Sequence, residues 1–160
     1  MSGDRLRAAG LDIHVLRTAP ALSELRVSDG RDTCVVDLVA EPFPAIEPPE
    51  QAVVDGRAIS VDSKHEILAS KLATLLERSE ARDLVDVKAL LDAGGDLRAG
   101  LRDAPKKDAG FSPLTLAWVL KDFDPRPAVN ALGWSAREAE ELVAFRQWLI
   151  DRLTASAVPE

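Results

Sequence analysis

Lys71 and Asp83 are the residues of this chain whose types and settings point most directly to chemistry. Lys71 falls among Ile67, Leu68, Leu72 and Leu75, and Asp83 among Leu84, Val87 and Leu90. Read at a helical period, each charge lies inside an apolar arc. A charge on a buried face is costly unless it is paired or used. Lys71 could snorkel with its ammonium in water, aim a point charge at a phosphate oxygen, or pair with Asp83 across a two-helix hairpin. A first-turn position near the helix dipole is reason enough for an Asp at 83. It does not explain why Asp83 shares a face with Val87 and Leu90. Asp86, one turn on, could support the same site or face solvent, and Arg82 completes the cluster.

Asp37 is the other candidate. It interrupts the apolar run TCVVDLVA, in phase with Val35 and Val39. That run is expected to be a strand inside a sheet. A carboxylate there needs a cation, a metal or hydrogen-bond donors. At a sheet rim it could face a cleft and hold Mg²⁺; otherwise it reaches solvent or an Arg at a strand end.

Other chemistries lack their residues. The single Cys34 excludes an internal disulfide framework and a multi-cysteine metal site, and is expected to be a small buried residue. His14 and His65 lie too far apart in sequence to suggest a histidine-rich zinc site. There is no glycine-rich phosphate loop with Lys-Ser/Thr, no Gly-x-Ser-x-Gly elbow and no Cys–His arrangement. A net charge of −7 argues against coating nucleic acid through bulk positive charge. Arg98, Arg102, Lys106 and Lys107 could still form a local basic groove, or simply a solvated surface. The three tryptophans, at 118, 134 and 148, are expected in the core. No apolar run approaches the ~20 residues that span a bilayer, and no signal peptide opens the chain. The composition fits a reducing cytoplasm.

The elements that must position these residues come in two blocks. Residues 4–9 read as a short helix closed by Gly10. Strands are expected over 13–17, 22–27 and 33–40, with an Asp29-Gly30 turn between the last two. Four prolines mark 41–50 as an irregular connection, and 53–61 as a short strand pair around Asp55-Gly56. Helices follow: from the Ser63/Glu66 capping box to Arg78, from a Ser79 cap to Asp92, from Ser112-Pro113 to Lys121, and from the Ser135/Glu138 box to Leu153. Strands first and helices after is an α+β pattern. The expected division is a sheet region over 1–61 with a helical region over 62–160 packed on it.

The run Glu66 to Arg78 followed by Glu80-Ala-Arg-Asp83-Leu-Val-Asp86-Val resembles the AbiEii/AbiGii-type nucleotidyltransferase toxin family. The strand Thr33-Cys-Val-Val-Asp37-Leu is similar to that family's third carboxylate strand. Lys107-Asp-Ala-Gly110-Phe111-Ser-Pro113 resembles a following segment, so the likeness covers roughly residues 10–120. The resemblance implies a polymerase-β-like nucleotidyltransferase fold. It implies transfer of a nucleotide from an NTP with Mg²⁺, to an acceptor such as a tRNA end, under control of a cognate antitoxin. It makes Asp37, Lys71 and Asp83 catalytic, with Asp37 on the metal, Lys71 on the triphosphate, and Arg82 and Asp86 in support.

One departure matters. The family's Gly-Gly/Ser turn and Asp-x-Asp strand do not occur before Asp37, and the short first helix reads as the tail of a truncated element. Without paired carboxylates two-metal transfer fails, so the expectation is an incomplete or inactive enzyme unless a partner supplies the motif. A sheet edge left open by truncation would favour a homodimer by strand addition. The competing reading is a non-catalytic binding or dimerising module that keeps Lys71–Asp83 as a structural ion pair.

Overall fold

The computed structural model describes residues 3–40, 42–131 and 133–156, and the chain divides into two units, Met1–Pro44 and Ala45–Glu160. The architecture is α+β, small antiparallel sheets followed by a helical half.

The first unit holds helix α1 (Gly3–Ala8) and strands β1 (Asp12–Ala19), β2 (Leu22–Ser28) and β3 (Thr33–Val39), ordered β1-β2-β3. Gly10, at φ +81°, turns the chain out of α1. Leu11 N–H then donates to the Leu6 carbonyl and Gly10 N–H to that of Arg7, the paired bonds of a left-handed helix stop. Leu6 and Leu11 pack with Val36 and Leu38 against the buried Ile13, Leu25 and Val27. The Asp29 carboxylate accepts from the backbone N–H groups of Arg31 and Asp32, fixing the β2–β3 turn.

β3 overturns an expectation. It is an edge strand, and only Val36 and Leu38 on it are half-buried. Cys34 is exposed rather than buried, and Val35 and Val39 are 57% and 64% exposed. A three-stranded sheet leaves an edge and a face open, and an apolar run alone does not tell an edge strand from a covered one.

The second unit opens with the hairpin β4 (Glu50–Val54) and β5 (Arg57–Val61). Asp55 and Gly56, at φ 49° and 73°, supply the two left-handed positions that a twisted two-residue hairpin loop requires. Helices α2 (Lys64–Arg78), α3 (Ala81–Asp92), α4 (Leu97–Asp103), α5 (Pro113–Asp122), α6 (Arg126–Ala131) and α7 (Ala136–Ser156) follow, with a 3₁₀ turn at Ala104–Lys106. Their shared core is leucine-rich: Leu68, Leu72, Leu75, Leu84, Leu116, Leu120, Leu142, Leu149 and Leu153 are all essentially inaccessible. Aliphatic side chains fill it because the sequence has few aromatics.

Ser79 and two of the tryptophans also depart from expectation. Ser79 does not cap α3; it closes α2 in the left-handed conformation (φ 49°, ψ 47°), and Glu80 stands at the α3 cap without a side-chain bond. Trp118 and Trp148 are 67% and 39% exposed, not core.

Candidate functional site

Lys71 on α2 and Asp83 on α3 meet across the hairpin. The turn at Ser79 reverses the chain so that the apolar faces of α2 and α3 join one core, and the charges on those faces are carried in with them. Lys71 Nζ donates to Asp83 Oδ1 at 3.0 Å and lies 2.7 Å from Asp86 Oδ2. Asp83 is fully buried, the Lys71 side chain is 27% exposed and that of Asp86 45%.

Arg78, which sequence reasoning passed over, completes the arrangement. Its Nε donates to Asp83 Oδ2 at 2.8 Å and its Nη2 to Oδ1 at 3.1 Å, a bidentate fork. Arg82 pairs with Glu80 instead, at 2.6 Å. Arg78 sits on the last turn of α2, five residues before Asp83, and the helix breaks between them. No helical spacing could have linked the two; a basic residue just before a helix–turn–acid junction was the available signal.

Burial pushes the Asp83 carboxyl up, but the hydrogen bonds and charges of Arg78 and Lys71 outweigh it and hold the group below the usual carboxylate range. Burial likewise pulls Lys71 down, and Asp86 and Asp83 more than restore it, so the ammonium stays protonated. The Asp83 bonds raise Arg78. Lys71, Arg78 and Arg82 alternate with Asp86, Asp83 and Glu80 in one balanced chain of charge.

Asp37 lies in the other unit. On β3 it stands opposite Glu24, which in turn stands opposite Arg17 of β1, a row of like and unlike charge across three strands. Asp37 is exposed, so the premise of a carboxylate buried in a strand does not hold. Its neighbour Glu24 was legible only once the register was known.

Two further polar clusters went unforeseen. Lys107 is not a surface residue: it is buried against Glu66, whose carboxylate also accepts from the Ile46 and Glu47 backbone N–H groups. Burial raises Glu66, yet Lys107 and those two N–H groups hold it below its ordinary value. The buried Asp103 is engaged by His65, Arg102 and Lys106. Hydrogen bonds from Lys106 and Arg102, then His65, keep it far below the usual carboxylate range.

The family model described as nucleotidyl transferase AbiEii toxin, type IV toxin–antitoxin system, matches residues 5–148. The chain belongs to the AbiEii family. No curated protein and no solved structure matches it. The AbiEii match spans the sheet, the α2–α3 hairpin and most of α7. It accords with the likeness carried by the Lys71…Arg82-Asp83-x-x-Asp86 run.

Nucleotidyl transfer ordinarily uses divalent metal to neutralise phosphate charge. Among the described residues, no three His, Cys, Asp or Glu side chains gather as metal ligands. Both Asp83 oxygens are committed to cations, and Asp37 has only Glu24 beside it in register. The described side chains therefore do not by themselves fit a metal. Among the described residues, no helix is long and apolar enough to cross a membrane.

Proposed function

We propose that this AbiEii-family chain binds the phosphates of an NTP at Lys71, as part of a machinery that moves a nucleotide to an RNA or protein acceptor. The observation that supports it is the unequal grip on Lys71. Buried Asp83, anchored by Arg78, fixes the ammonium from one side, and exposed Asp86 holds it from the other. An incoming phosphate can replace Asp86 at the exposed side without disturbing Asp83. Lys71 is then the phosphate contact and Asp83 its positioning residue, with Arg82 and Asp86 in support; for Asp37, in the other unit, a metal-binding role is proposed from the family likeness alone. Mg²⁺ enters only as what the family's chemistry calls for, and a metal pair needs carboxylates beyond Asp37. The chain as given is accordingly proposed to bind NTP without turnover.

Titration of the full chain with each NTP tests this. Binding should weaken about tenfold or more in Lys71→Ala, the loss of one charge-assisted contact. Equal affinity in the two proteins removes the proposal. Transfer of label from α-³²P-NTP to tRNA or protein by the chain alone would overturn the absence of turnover.

The double engagement of Asp83 also favours a second reading, a structural ion pair in a non-catalytic module. There, Lys71→Ala lowers stability and leaves NTP affinity at background. A cognate antitoxin and a tRNA acceptor come with the AbiEii reading as proposed partners. The open β3 edge supports a proposed homodimer by strand addition, and light scattering at the monomer mass counts against it.

A further inference from the structure

A groove of about 850 Å³ lies among α4, the start of α5 and the last turns of α7. Three of its lining residues are arginines, Arg98, Arg102 and Arg152, and none is acidic, in a chain with 27 acidic and 20 basic residues. Its apolar lining comes from Leu97, Leu101, Pro113, Trp148 and Ala155. All three guanidinium-bearing residues are exposed. Arg102 also reaches Asp103, while neither Arg98 nor Arg152 has an acidic partner among the described residues. The groove is thus an apolar trough rimmed by cations, on a molecule that is otherwise acidic.

From this we infer that the groove is a docking site for an acidic amphipathic segment of a partner protein, with Asp or Glu set beside one or two large apolar anchors. Arginine forks match carboxylates in two-bond geometry. The trough supplies the contact that an aliphatic anchor buries, as in helix-in-groove recognition. Two observations set this above a nucleic acid. Trp148 is already engaged by Phe145, with ring centroids 5.5 Å apart, and by the Arg152 guanidinium 5.6 Å from its ring centre, so a base stacking there would compete with contacts already made. A net charge of −7 also opposes a long polyanion, while a short acidic segment need meet only the groove. The inference concerns a surface separate from Lys71 and does not rest on the NTP proposal.

Selection of random dodecapeptides on the full chain tests it, with Arg98→Glu/Arg152→Glu as counter-target. Enriched peptides should pair acidic residues with Leu, Ile, Met or Phe. Resynthesised and labelled, they should bind in fluorescence anisotropy with affinity about tenfold or more lower on the charge-reversed chain. The same peptides should bind Lys71→Ala as tightly as the parent, which separates this site from the NTP proposal. Circular dichroism checks the fold of the reversed chain, and Arg98→Gln/Arg152→Gln serves in its place if that chain is unfolded. Failure to enrich, enrichment of peptides without acidic residues, or binding indifferent to both pairs of substitutions overturns the inference. So does a single-stranded RNA oligonucleotide that binds in place of acidic peptides and is lost on the same substitutions.

Discussion

Asp83 is held by two cations of unequal commitment, and this sets what each substitution should do. Arg78 grips both oxygens, and Lys71 touches one while keeping a partly wet ammonium. Replacing Asp83 by Ala removes its charge-assisted hydrogen bonds and leaves Lys71 with Asp86 and Arg78 with the longer Glu80 contact, both cations partly wet, so it should cost about 2–3 kcal/mol in urea unfolding. Lys71→Met leaves Asp83 still paired with Arg78 and should cost less, about 1–2 kcal/mol. Equal costs for the two would count against Arg78 as the main anchor of Asp83. The same groups set a pH dependence. Asp83 is lowered in the folded chain, so its contribution is full above the ordinary carboxylate range and is lost as pH falls through the depressed value. Lys71 is raised, so its contribution is full below the ordinary lysine range and is lost as pH rises through the elevated value. Stability measured against pH should therefore lose part of its acid slope in Asp83→Asn. It should lose part of its alkaline slope in Lys71→Met.

The helices meet where small residues and caps allow them to. Gly100 on α4 faces α2 so closely that a Cβ would lie 3.1 Å from atoms of Leu68 and Leu72. Gly100→Ala gains about 1 kcal/mol of helix propensity but forces the fully buried Leu68 and Leu72 to give by a few tenths of an ångström, so it should fail to stabilise as an ordinary helical Gly→Ala does, read as no rise in the midpoint of thermal unfolding. At α7, Ser135 and Glu138 bond reciprocally: Ser135 N–H donates to Glu138 Oε2 at 2.8 Å and Glu138 N–H to Ser135 Oγ at 3.3 Å. Ser135→Ala should cost about 1 kcal/mol. Those elements were legible because each carries its own punctuation: Ser63 and Ser135 ahead of Glu66 and Glu138, Pro113 at a first helical position, Gly10 and Gly94 at helix ends, and Asp55-Gly56 in a hairpin. Helices α4 and α6 were not, since six or seven residues are too few for a 3.6-residue period to declare itself. The Lys71–Asp83 meeting was within reach, because both charges sit on faces that a helix hairpin must bury together. Glu66–Lys107 and Asp37–Glu24 were not, because each depends on packing or register between segments distant in sequence.

At the scale of the molecule, apolar burial is distributed unevenly between the two units. Ala45–Glu160 encloses a continuous core from Leu68 on α2 to Leu153 on α7, with Glu66 pinning the chain at Ile46 and Glu47 onto α2. Met1–Pro44 fully buries only Ile13, Leu25 and Val27 among its described hydrophobic residues, under three strands and a helix of six residues. A unit that small buries too little apolar surface to offset the entropy of ordering its chain. Residues 45–160 expressed alone should therefore show helical circular dichroism and a cooperative melt, and residues 1–44 alone should show neither. Because the Lys71–Asp83–Arg78 network lies wholly within the larger unit, Asp83→Ala should lower the melting temperature of the 45–160 fragment about as much as it lowers that of the full chain. A fragment that melts without cooperativity, or that is indifferent to Asp83→Ala, would show that the smaller unit is needed to build the larger one.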